Sequence, residues 1–97
     1  MFEPEKKRYL TRGIDEAVPV ELQMFMWEAI DRMPQQRDYL QIFTLSAESG
    51  LQCILHKSEQ PKYEMTYILP TVENPVAAKI YCIDDGDHCT MLLAEEY

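Results

Sequence analysis

Ninety-seven residues, 46% of them apolar, suffice for one hydrophobic core and not for two. The net charge of −8 is unevenly placed: residues 1–12 carry four basic and two acidic side chains, the remainder five basic and fifteen acidic. So acidic a body repels a phosphate backbone, which argues against direct nucleic-acid binding, and no apolar run approaches a membrane span or a signal peptide.

In chain order, residues 1–7 (MFEPEKK) read as a frayed arm of a single domain spanning 1–97. Residues 9–14 (YLTRGI) are predicted to form a short first strand, closed by Gly13 and the pair Asp15-Glu16. Residues 19–33 (PVELQMFMWEAIDRM) have helical periodicity, with Pro19 suited to the first turn and Pro34 stopping the helix. At 100° per residue, Leu22, Phe25, Met26, Ala29, Ile30 and Met33 share one apolar arc. Met24 falls among the charges opposite, and Trp27 on the shoulder beyond Gln23.

From Tyr39 the rhythm changes to period 2. Strands are predicted over 39–46, 51–57, 62–69, 77–83 and 88–93, with turns at 47–50, around Pro61, through Pro70 to Asn74-Pro75, and at Asp85-Gly86. Pairing Leu55 with Met65 and Cys53 with Tyr67 stacks apolar on apolar, and places Leu40 and Ile42 with them beneath the helix. Phe43, Leu45, Ile54 and Ile68 then occupy the other face, which either curls around its own core or meets a partner. The expected fold is α+β: one amphipathic helix packed on a strongly twisted antiparallel sheet of five or six strands, in the order β-α-β-β-β-β-β.

Chemistry-bearing residues are sparse. Cys82 and Cys89 face each other across the predicted Asp85-Gly86 hairpin, a geometry that suits two small buried thiols better than a disulfide. Three cysteines, an odd number, fit reduced thiols in the cytoplasm. Asp84, Asp85 and Asp87 lack the later glutamate of a calcium loop, and Cys53 and His56 point to opposite sides of a strand. Neither His56 nor His88 belongs to a nucleophile signature, and Gly13, Gly50 and Gly86 are isolated. No catalytic residue, metal or cofactor is assigned. Lys6, Lys7, Arg8 and Arg12 are read as an arm drawn to its own acidic body.

Residues 9–14, 19–31, 39–46 and 83–97 (IDDGDHCTMLLAEEY) together resemble a family of small proteins of Gram-positive bacteria catalogued as a domain of unknown function, DUF960. The resemblance implies a single bacterial domain and brings no activity, cofactor or site residue. The expected role is a non-enzymatic interaction or regulatory domain that contacts another protein or itself, through Met24 and Trp27 or through a face around Phe43 and Ile54. Two other readings stay open: an acidic competitor of nucleic acid on a basic protein, and an enzyme using His56 or His88 between helix and sheet.

Overall fold

The computed structural model describes residues 1–70 and 74–97; residues 71–73, part of the loop expected through Pro70 to Asn74-Pro75, lie outside the described residues. The elements are β1 (Lys7–Leu10), α1 (Arg12–Ala17), α2 (Val20–Asp31), β2 (Leu40–Glu48), β3 (Leu51–Glu59), β4 (Lys62–Leu69), β5 (Ala78–Asp84) and β6 (His88–Leu93), then a short 3-10 turn over Ala94–Glu96. The six strands form one sheet in the order β1-β6-β5-β2-β3-β4. The fold is α+β as expected, with two departures: β1 lies parallel to β6, and a second helix, α1, stands where the first strand was to continue.

Local chemistry explains the boundaries. Thr11 Oγ1 accepts from the Ile14 amide and caps α1. Pro19 caps α2 in an extended conformation, and Glu21 sits in its first turn at the positive end of the helix dipole. Ser49 and Gly50 both adopt positive φ, at 53° and 77°, the geometry that joins twisted strands through a two-residue turn. Between β3 and β4, Glu59 pairs with Lys62, leaving only Gln60 and Pro61 in the turn.

Both helices contribute to a single core. Ile14, Leu22, Met26, Ala29 and Ile30 bury against Phe43, Leu45, Ile54, Ile80, Cys82 and Met91. Phe43 pairs with His56 on one side and Ile80 on the other, so this inner face runs continuously across the middle of the sheet. The coverage expected from the sequence is therefore inverted: Phe43, Leu45 and Ile54 lie beneath the helices, and Leu40 and Ile42 lie on the opposite face. Strand β4 is displaced by one residue against β3, with Met65 opposite His56 and Tyr67 opposite Ile54, so Ile68 keeps its expected place away from the helices but lies beside Cys53.

The N-terminal arm is not frayed. Phe2 is fully buried, worth roughly 1.5–3 kcal/mol of transfer free energy. Its amide donates to Asp84 Oδ2 at 2.6 Å, and Lys6 Nζ donates to both Asp84 oxygens at 3.1 and 2.9 Å. Arg37 donates to the carbonyls of Met1 and Phe2. At the other end, Glu96 accepts from Thr11 Oγ1 at 2.6 Å and from the Gly13 and Leu93 amides, closing the 3-10 turn onto α1.

Candidate functional site

The four residues singled out in the sequence do not converge. Phe43 and Ile54 are 0% exposed and belong to the core, so neither offers a contact surface; Phe43 stacks on the His56 ring at a centroid distance of 4.2 Å. Met24 is 58% exposed on α2. Trp27 is half-buried: one part packs on the core, and the Arg8 guanidinium carbon lies 4.9 Å from its ring centroid. Asp31, one turn along α2, holds that guanidinium through two hydrogen bonds. Trp27 thus ties α2 to the edge strand β1, and Met24 remains exposed one turn along α2 from Val20, which is exposed too.

The face turned away from both helices is more extended. By register, its rows are Leu92-Tyr81-Ile42-Lys57-Glu64, then Lys79-Thr44-Leu55-Thr66, then Ser46-Cys53-Ile68, with Tyr9, Thr90, Ile83 and Leu40 forming a fourth. Most of the apolar members are half-buried by one another, and Ile68 is 60% exposed. Tyr97 reaches back over one corner, its ring meeting Tyr81 edge-on at 5.5 Å. Strand β4, at the edge of the sheet, adds eight residues that pair on one side only.

A hollow of about 430 Å³ opens on this face. Ile42, Thr44 and Leu55 form its floor, and Lys57, Lys62 and Lys79 stand around it with Glu59 and Tyr63. None of these lysines makes an ion pair among the described residues. Three of the four N-terminal cations behave differently, Lys6 pairing with Asp84 and Glu3, Arg8 with Asp31 and Arg12 with Glu16, while Lys7 is exposed. Sequence reasoning missed the lysine group because it depends on register across two hairpins and the long-range pair β2–β5: Lys79 stands opposite Thr44, Lys57 opposite Ile42 and Lys62 opposite Glu59. The available signal was that all three occupy outward-facing strand positions.

The remaining titratable groups sit elsewhere. His56 is fully buried on the inner face, where its Nε2 donates to Gln41 Oε1 at 2.7 Å. The Gln41 amide nitrogen in turn donates to the Asp38 carbonyl at 2.9 Å, which orients the oxygen toward the histidine. Burial lowers the His56 pKa to about 4, so the ring is neutral. His88 is on the outer face beside Asp85, so the two histidines do not share a site. Burial pushes the Cys82 thiol up, and Cys89 up to about 11; both are free, with Cys82 opposite Met91 and Cys89 opposite Asp84. The hairpin register is thus two residues away from the expected alignment of Cys82 with Cys89. Among the described residues, no group of three histidine, cysteine, aspartate or glutamate side chains could hold a metal ion.

The family described as Staphylococcal protein of unknown function (DUF960) matches residues 7–96, which takes in every strand and the tie between Thr11 and Glu96. The chain belongs to the DUF960 family. A crystal structure of a protein of unknown function from Enterococcus faecalis is similar to it, with a TM-score of 0.85 and 26% identity over 99% of this chain and 94% of that one. Among curated proteins nothing matches. The likeness extends over the whole DUF960 fold, the N-terminal arm included, and no helix among the described residues is long and apolar enough to cross a membrane.

Proposed function

We propose that this DUF960 protein is a non-enzymatic interaction domain that holds another protein on the outer face of its sheet. The observation that carries this reading is the placement of both helices on one side, which leaves the aliphatic rows through Ile42, Leu55 and Ile68 without a covering layer. Three free thiols suit work in a reducing compartment such as the cytoplasm. The internal pairing of Lys6, Arg8 and Arg12 supports a protein partner rather than nucleic acid, since those cations are already engaged.

The test compares capture by the wild-type chain, Ile68→Asp and Met24→Ala, together with light scattering to read self-association. Loss of one defined captured protein, or of a dimer, in Ile68→Asp alone supports the outer face. An identical set of captured proteins and an identical mass for all three chains overturns it.

A further inference from the structure

We infer that the hollow on the outer face binds an amphipathic anion, an apolar chain or ring carrying one carboxylate or phosphate head. The inference rests on the outer face being the working surface and assigns one part of it to a small ligand. A volume of about 430 Å³ lies within the range of small-ligand sites. Its chemistry is divided in two. Ile42 and Leu55, opposite Lys57 and Thr44 respectively on the pair β2–β3, supply an apolar floor. Three lysines line it, Lys79 with its ammonium 5.9 Å from the centroid of the neighbouring Tyr81 ring, against the single carboxylate of Glu59.

Placement of the cations is the stronger argument. Residues 13–97 contain five basic side chains, and two of them are engaged elsewhere: Arg32 pairs with Glu28, and Arg37 binds four backbone carbonyls. The other three all line this hollow. In a chain of net charge −8, an anion is repelled at long range, so its binding requires a local concentration of positive charge. Lysine ammoniums act as point charges without the fork geometry of arginine, which suits either head group and leaves discrimination to the apolar body.

The experiment titrates octanoate, octyl phosphate, inorganic phosphate and octyltrimethylammonium into the full chain, following backbone amide resonances. Octanoate or octyl phosphate should shift Ile42, Leu55 and Lys57 saturably, the better of the two naming the head group. The doubly substituted chain Lys57→Gln/Lys79→Gln should bind that probe about tenfold more weakly. The cationic probe should leave these resonances in place. Binding of inorganic phosphate as tight as that of the octyl anions, equal binding of cation and anion, or an unchanged affinity in the double variant overturns the assignment. Ile68 lies outside the hollow, so anion binding that fails while capture still depends on Ile68 removes this inference and leaves the interaction reading standing.

Discussion

The Phe2 amide nitrogen lies 2.6 Å from Asp84 Oδ2, a hydrogen bond between residues separated by 82 positions. Burial raises the Asp84 carboxyl, but the donors from Phe2, Lys6 and Gly86 outweigh it and hold the pKa at about 2. Asp84→Ala leaves the buried Phe2 amide without its acceptor and is expected to cost about 2–4 kcal/mol in urea unfolding. Arg12→Ala, whose partner Glu16 is exposed, should cost less than about 0.5 kcal/mol.

His56 sets an acid limit of its own. Its pKa is about 4 in the folded chain and near 6.5 when unfolded, so the unfolded state binds more protons between these values. Stability is therefore complete above pH 6.5 and falls as the pH drops toward 4, by about 3 kcal/mol at the limit. Asp84, whose pKa is lowered from 3.8, adds its own loss only at still lower pH. Thermal unfolding of wild type and His56→Gln across this range checks the assignment, the variant showing the flatter profile.

Trp27→Ala should destabilise the fold by about 2–3 kcal/mol, since it removes the ring that packs on the core and under Arg8. Met24→Ala should change stability by less than about 0.5 kcal/mol. Indole emission gives a second reading. Arg8→Ala uncovers the ring and should shift Trp27 emission to longer wavelength.

Phe43→Ala and Ile54→Ala remove fully buried side chains and should cost about 3–5 and 2–5 kcal/mol respectively. Ile68→Ala, on the outer face, should cost less than about 1 kcal/mol. Chemical denaturation of the three variants reports directly which face is core.

That inversion shows how far the sequence could be read. Strands 62–69 and 88–93 match the observed β4 and β6, and α2 lies within the predicted helix, because each carries its own period in local residues. The faces were harder to assign, since the buried side of β3 reads Gln52, Ile54, His56, Ser58 and so resembles a solvent side. Gln52 is satisfied there by bonding Val76 N–H and several carbonyls, and His56 by Gln41, partners that only the folded chain supplies. A two-residue turn at Gln60-Pro61 sets β4 one position from the expected register against β3, so β4 keeps its expected sides while those of β2 and β3 are exchanged. Helix α1 escaped notice because it is six residues long and buries only Ile14, too little to show a period. The lysine hollow required all of these registers at once.

The parallel pairing of β1 with β6 governs the order in which the molecule can form. Hairpins β2–β3 and β3–β4 close over short loops and can assemble early, whereas β1 has no neighbour until the strand beginning at His88 exists. A chain emerging from its N-terminus must therefore hold Lys7–Leu10 and the Phe2 side chain unpaired through nearly all of its synthesis. Final closure of this sheet is a late event joining distant segments, and any truncation before β6 strands the first strand and removes Cys89 and Met91 from the core.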